Sequence, residues 1–135
     1  WVSFKATGRG ARRTAAAVSA VLSICGAIAF LGFAGLNLIG HAHLPVFGQW
    51  EVGWRLARHA WGQGYASEAG ATALSYGFDV KGLDRILAYT AVTNTPSEAV
   101  MQRLGMVRAT EMDFDHPRVP DESPLKRHIV YVKNG

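Results

Sequence analysis

The sequence predicts a mixed α/β domain with one central sheet, and three observations support this fold class. Beyond residue 50, segments rich in β-branched and aromatic residues alternate with segments of helical periodicity. Turns that contain glycine or proline separate these segments. The 135 residues, of which 49% are hydrophobic and 18% charged, suit a single domain, 1–135, with one core. We therefore expect a mixed, largely antiparallel sheet flanked by helices.

The elements can be assigned in chain order. The second helix has the clearest start, because Thr95 as N-cap, Pro96 at the first helical position and Glu98 three residues after the cap form a capping box. Gly82 and Gly105 follow the two helices as C-terminal stops. The predicted elements are strands at 30–36, 51–57, 85–92, 106–114 and 128–133, and helices at 66–80 and 96–104.

The first third of the chain allows two interpretations. No Asp, Glu, Lys or Arg occurs from Thr14 to Trp50, and residues 15–40 form an apolar run long enough to span a bilayer. Four glycines and Asn37 interrupt this run, and its part at 30–36 is typical of a buried strand. We favour a buried strand, alone or after a helix, and keep a membrane-anchored protein as the alternative.

Charge and cysteine usage limit the classes of partner. The net charge is +4, and the basic arm formed by Lys5, Arg9, Arg12 and Arg13 would suit a nucleic acid or a membrane surface. A solvated terminus explains this arm more simply, so we expect neither partner. The single cysteine, Cys25, excludes an internal disulfide framework and fits a cytoplasmic location. Its apolar surroundings favour a buried filler over an acyl-carrying nucleophile.

A glycine-bearing turn, Trp61-Gly62-Gln63-Gly64-Tyr65-Ala66, joins a predicted strand to the first helix. This arrangement brings backbone N–H groups and the positive end of a helix around an anion, and glycines let a phosphate approach the backbone. The turn is not the dinucleotide fingerprint, because Ser67 stands where a third glycine would fall, and it is not a P-loop. By itself, such a turn is structural as often as it is functional.

The turn resembles the acetyl-CoA pyrophosphate motif of the GNAT superfamily of N-acyltransferases, Gln/Arg-x-x-Gly-x-Gly/Ala, with Trp61 in place of the usual Gln or Arg. Asn94-x-x-Ser97 followed by Leu104-Gly105-Met106 is similar to the family's second cofactor motif. The amino-acid sequence around the turn resembles that of the RimJ/RimL branch of the family. The resemblance covers residues 30–132, whereas residues 1–29 do not look like the strand and two helices with which the family usually opens.

The resemblance implies the GNAT fold, with a sheet that splays after Leu56 to admit the pantetheine arm. It implies acetyl-CoA as co-substrate, no metal, and direct attack of a primary amine on the thioester in a ternary complex. The amine is a protein N-terminus or a small-molecule amine, and a homodimer is compatible with the resemblance. The implied cofactor-binding residues are Leu56, Ala57, Trp61, Gly62, Gln63, Gly64, Tyr65, Ala66, Ser67, Asn94, Ser97 and Arg103.

Two residues are candidate catalytic groups. Glu51, at the entry of the splayed strand, is a candidate general base, although a surface carboxylate at a strand end is an equally good interpretation. Many family members carry a tyrosine acid on the second motif's helix, and Met101 stands at that position here. The resemblance to the RimL branch therefore suggests Ser97 as the acid that protonates the departing thiolate. A simple hydrogen bond from Ser97 to the cofactor or the helix end is the competing interpretation.

Several other interpretations stay open. A GNAT-like module that holds CoA without turnover would explain the absent tyrosine. Asp113, Asp115 and His116 lie in a proline-containing loop without a second well-spaced histidine, so solvated turn residues explain them better than a metal site. An acidic C-terminal cluster would draw a cationic acceptor, although a solvated loop is simpler. Its members are Glu111, Asp113, Asp115, Asp121 and Glu122.

Overall fold

The computed structural model describes residues 32–135, which contain one sheet and two main helices. Cys25, the basic arm and residues 15–31 of the apolar run lie outside this range. The strands are β1 Gly32–Leu38, β2 Trp50–Leu56, β3 Arg85–Ala91, β4 Val107–Arg108, β5 Phe114–Asp115 and β6 Arg127–Asn134. The helices are α1 Tyr65–Ser75, continued by a π-helical turn at Tyr76–Val80, and α2 Thr95–Arg103. In the described range, no helix has the length and apolar character needed to cross a bilayer.

The sheet confirms the predicted mixed α/β class. Its strand order is β1-β2-β3-β6-β4, with β5 also paired to β6. The pairs are antiparallel except for β2 and β3, which run parallel and share a single register pair, Glu51 with Leu87. The two strands therefore separate near their start, earlier than the predicted opening after Leu56. This separation is what positions the site.

Apolar side chains cover both faces of the sheet because neighbouring residues of one strand point to opposite sides. On one face, Ile86 and Ile129 pack against α1 and α2. On the other face, the adjacent Leu87 and Val130 pack with Phe114 and with the connection between β1 and β2. The nearly continuous apolar runs of β3 and β6 follow from this double burial.

The predicted strand at 106–114 is wrong, because two short strands and a helical turn at Thr110–Met112 replace it. The reason lies in Asp113, whose carboxylate accepts a hydrogen bond from the backbone N–H of Val130 over 3.1 Å. The same carboxylate binds the guanidinium of Arg108. A side chain thus takes the place of a backbone partner, and the regular ladder with β6 is interrupted.

The assignment of Thr95 as the N-cap of α2 is also wrong. Asn94 is the cap, and its Oδ1 accepts from the backbone N–H of Ser97 over 3.3 Å. Glu98 does not close a capping box, because its carboxylate accepts from the hydroxyl of Tyr131 over 2.8 Å. This bond joins α2 to β6.

Candidate active site

The separation of β2 from β3 opens a cleft of about 990 Å³. The starts of α1 and α2 border it, so the two sequence motifs meet across one space although about thirty residues separate them along the chain. All the predicted catalytic and cofactor-binding residues line this cleft except Ala57 and Gln63. The fold brings the predicted set together, and the role of each member remains a prediction.

The glycine turn presents open backbone to the cleft. Gly62 and Gly64 have φ values of +75° and +82°, and a Cβ at either position would meet no protein atom within 4 Å. Gly64 is the N-cap of α1 and supplies no side-chain cap, so the first N–H groups of this helix keep their capacity to bind an anion. The start of α2 differs, because Asn94 caps it. The donor set at α1 fits a pyrophosphate group.

Trp61 braces this turn through its side chain. Its indole Nε1 donates to the carbonyl of Leu56 over 2.9 Å, which ties the turn to the end of β2. The guanidinium of Arg58 lies 5.7 Å from the centroid of the indole ring. The tryptophan that departs from the family's Gln or Arg therefore contributes a specific bond.

Ser97 lies half-buried at the opposite wall, where two residues fix it. Asn94 holds its backbone N–H, and the amide of Asn94 in turn donates to Thr90 Oγ1 over 2.9 Å. The indole Nε1 of Trp54 donates to Ser97 Oγ over 3.3 Å. Further along α2, Arg103 Nε donates to Ser67 Oγ over 3.3 Å, which joins the two helices beside the cleft.

Glu51 on β2 lies between residues of β1 and β3. Its Oε1 accepts from Asn37 Nδ2 on β1 over 3.0 Å. Tyr89 on β3 lies close enough to Glu51 for the carboxylate to act on the ionisation of its hydroxyl. Burial, together with the charge and the hydrogen bond of Glu51, raises the pKa of Tyr89 to about 12, so this tyrosine keeps its proton at neutral pH. Asn37 therefore holds the Glu51 side chain at the wall of the cleft.

Trp54, Tyr89 and His128 are among the cleft residues that the sequence reasoning did not assign to the site. His128 stacks on Phe114, with ring centroids 5.4 Å apart, and its ring lies 6.0 Å from that of Tyr89. The signal that could have found Tyr89 is strand periodicity. Tyr89 is two residues beyond Leu87 and therefore shares its face of the sheet, as does Glu51 opposite Leu87.

The acidic cluster does not form a free negative surface. Asp113 pairs with Arg108 and Arg127, Asp115 pairs with Arg127, and the exposed Asp121 pairs with Lys126. Three of the five acidic side chains are thereby matched by cations, which argues against the predicted steering of a cationic acceptor. Among residues 32–135, no group of three or more His, Cys, Asp or Glu side chains is arranged to hold a metal ion.

Comparison with a family model identifies the same motifs. Residues 4–107 match the model described as acetyltransferase (GNAT) domain. The match begins inside the segment 1–29, in which we recognise no motif, and it includes both motifs that border the cleft.

Curated relatives match about half of the chain. The chain is 42% identical over 74 residues to the uncharacterized N-acetyltransferase YnaD of Bacillus subtilis, which covers 53% of this chain and 44% of that protein. It is 38% identical over 74 residues to the uncharacterized N-acetyltransferase p20 of Bacillus licheniformis, which covers 55% of this chain and 39% of that protein. The match spans less than half the length of these relatives.

Solved structures share the fold. An acetyltransferase (GNAT family) from Bacillus anthracis aligns with a TM-score of 0.59 at 30% identity, over 77% of this chain and 58% of that one. RimJ of Mycobacterium smegmatis, in complex with CoA-disulfide, aligns with a TM-score of 0.62 at 23% identity, over 79% of this chain and 48% of that one. The second likeness concerns the fold alone.

Proposed function

Because this chain belongs to the GNAT acetyltransferase family, as the match over residues 4–107 shows, we propose that it transfers an acetyl group from acetyl-CoA to a primary amine. The observation that carries this proposal is the cleft between β2 and β3, whose walls are the uncapped turn at Gly62 and Gly64 and the start of α2. An extended molecule with a pyrophosphate at one end and a thioester at the other suits this shape.

The turn holds the pyrophosphate in this proposal. The N–H groups at the start of α1 donate to the phosphate oxygens, and the positive end of the helix adds a favourable field. A hydrogen bond to a charged group contributes about 1.5–3 kcal/mol, so two or three such bonds would supply much of the binding free energy that a micromolar complex requires. Arg103, held beside the turn by Ser67, adds positive charge at the same wall.

Glu51 prepares the acceptor. A primary amine is protonated at neutral pH and must lose one proton before its lone pair can attack the thioester. Asn37 holds the Glu51 carboxylate at the cleft, where it accepts that proton directly or through a water molecule. Tyr89 keeps its own proton beside Glu51.

Ser97 assists the departure of the thiolate. The buried side chain of Met101 has no acidic proton to donate, so the acid found on this helix in many relatives is absent. Ser97 is the hydroxyl of α2 that lines the cleft. We propose that Ser97 donates its hydroxyl proton to the sulfur as the carbon–sulfur bond breaks.

The test has two steps. Titration calorimetry with acetyl-CoA should show saturable binding to this chain, and release of free thiol should follow when a peptide N-terminus or a small-molecule amine is added. Acetyl-CoA binding without thiol release toward any amine would favour a CoA-binding module without turnover, an alternative motivated by Met101. Absence of binding would refute the proposal. A cytoplasmic location and a homodimer remain predictions, checked by fractionation and light scattering.

A further inference from the structure

Trp54 is built into the cleft wall opposite α2. Its ring lies beside Gly70 of α1, where an added methyl group would sit 3.6 Å from the indole Cζ3. The indole also packs at the border of the core on the helix-covered face of the sheet. This packing fixes the ring, and its polar edge donates from Nε1 to Ser97 Oγ over 3.3 Å.

The chemistry of this bond sets the state of the serine hydroxyl. An indole nitrogen only donates, so Ser97 Oγ must accept. A hydroxyl has one donor and two acceptor positions, and Trp54 occupies one of the acceptor positions. The bond from the Ser97 N–H to Asn94 Oδ1 fixes the serine backbone. Since Trp54 fills one acceptor position, the hydroxyl keeps one donor and one acceptor position for other partners.

Acetyl transfer to an amine requires a group that gives a proton to the departing sulfur and a group that takes a proton from the attacking nitrogen. The ammonium loses a first proton to Glu51, and the nitrogen then forms its bond to the acyl carbon. When the carbon–sulfur bond breaks, the nitrogen must lose a second proton and the thiolate must gain one. A serine that only donated would be left as an alkoxide, which is unfavourable because a serine hydroxyl is a far weaker acid than a thiol.

We propose that Trp54 positions Ser97 as a proton shuttle, which accepts a proton from the reacting nitrogen while it gives its own to the departing sulfur. The inference rests on the proposed function. The products are the amide, the free thiol and one proton that leaves through Glu51, so atoms and charge balance. Trp54 acts through Ser97 and is a positioning residue.

A double-mutant cycle tests this coupling. Trp54→Phe keeps an aromatic ring and removes the donor, and Ser97→Ala removes the shuttle. We expect Trp54→Phe alone to lower kcat about tenfold, with little change in the KM for acetyl-CoA. In the Ser97→Ala background, Trp54→Phe should lower kcat no further, because the group that it positions is gone. Trp50→Phe, a tryptophan outside the cleft that packs with Lys81, is the matched control and should leave kcat unchanged.

The outcomes separate the two claims. Non-additive losses in kcat, with folded variants and unchanged acetyl-CoA binding by calorimetry, support the shuttle. Losses that multiply, or a Trp54→Phe effect confined to KM, would assign Trp54 a packing or binding role and overturn the inference while the proposed function stands. A parent chain that binds acetyl-CoA but acetylates no amine would overturn the proposed function and the shuttle together.

Discussion

Tyr89 on β3 lies beside Glu51 on β2 at the point where the two strands separate, and the carboxylate acts on the ionisation of the tyrosine hydroxyl. Burial is the main cause that raises the pKa of Tyr89 to about 12, and the negative charge and hydrogen bond of Glu51 add to it. The two residues therefore place a carboxylate at the point where the sheet opens into the cleft. The raised pKa also makes the folded state favour protonated tyrosine.

The raised pKa of Tyr89 predicts how stability changes at high pH. An unfolded tyrosine ionises near pH 10, whereas folded Tyr89 does so near pH 12, so its contribution to stability is present below about pH 10 and lost as the pH rises toward about 12. Tyr89→Phe should flatten this decline in the free energy of unfolding. Urea denaturation of parent and variant at about pH 9 and about pH 11.5 measures the difference. Equal declines in the two proteins would contradict the raised pKa of Tyr89.

Ser97→Ala should lower turnover more than it weakens cofactor binding. The hydroxyl contacts the departing sulfur only as the carbon–sulfur bond breaks, and an interaction made only in the transition state affects kcat. We expect a loss in kcat of about a hundredfold, the lower end of the range for acid–base groups. Acetyl-CoA binding, measured by calorimetry, should change by less than about threefold. Equal losses in binding and turnover would make Ser97 a cofactor anchor.

The lowered pKa of Asp113 predicts that the free energy of unfolding decreases at acidic pH. Its hydrogen bonds to Arg108 are the main cause that lowers the pKa of Asp113, and the backbone N–H of Val130 adds to the shift. Its contribution is therefore present above about pH 4 and lost as the pH falls through the lowered pKa. Asp113→Asn should reduce the free energy of unfolding at neutral pH by about 2 kcal/mol, because the half-buried Arg108 loses its partner.

The control for this change is Asp121→Asn. Asp121 is also in an ion pair, with Lys126, but its side chain is 88% exposed, compared with 9% for Asp113, so its substitution should leave stability nearly unchanged. The difference between parent and Asp113→Asn should shrink as the pH falls below about 4. A difference that stayed constant from neutral pH to about pH 3 would show that the effect is steric.

Features of the candidate site that depend only on residues adjacent in the chain could be predicted from the sequence. The turn from Trp61 to Ala66 could be predicted because a strand, two glycines and a helix start follow one another directly. The choice of Thr95 over Asn94 failed because both residue types cap helices well. Only the contact of Glu98 with Tyr131, 33 positions further along, shows that no capping box forms.

Contacts across the sheet were beyond sequence reasoning. Trp54 and Ser97 are 43 positions apart, and their bond depends on how far α2 lies from β2. Tyr89 meets Glu51 through the register of a parallel pair, and one residue of slip would move either side chain to the opposite face. The interruption at Asp113 has the same origin, because its carboxylate replaces a backbone partner on β6.

Gly64→Val should abolish tight acetyl-CoA binding while the protein still folds. A Cβ at Gly64 would meet no protein atom within 4 Å, so the added side chain would project into the space that the proposed pyrophosphate occupies. Gly64 also has a φ of +82°, and a valine there strains the backbone whose N–H groups bind the phosphates. Losing two such bonds, at about 1.5–3 kcal/mol each, corresponds to a loss in affinity of about a hundredfold or more.

Gly48→Val separates strain from ligand contact. Gly48 has a φ of +78°, its Cβ position is equally free of protein atoms, and it lies in the connection between β1 and β2, outside the cleft. Both variants should therefore lose similar stability, about 1–2 kcal/mol from a β-branched residue at positive φ. Melting curves establish that both fold, and calorimetry should show parental acetyl-CoA affinity for Gly48→Val alone. If a folded Gly64→Val protein also bound acetyl-CoA as tightly as the parent, the turn would not be the phosphate site.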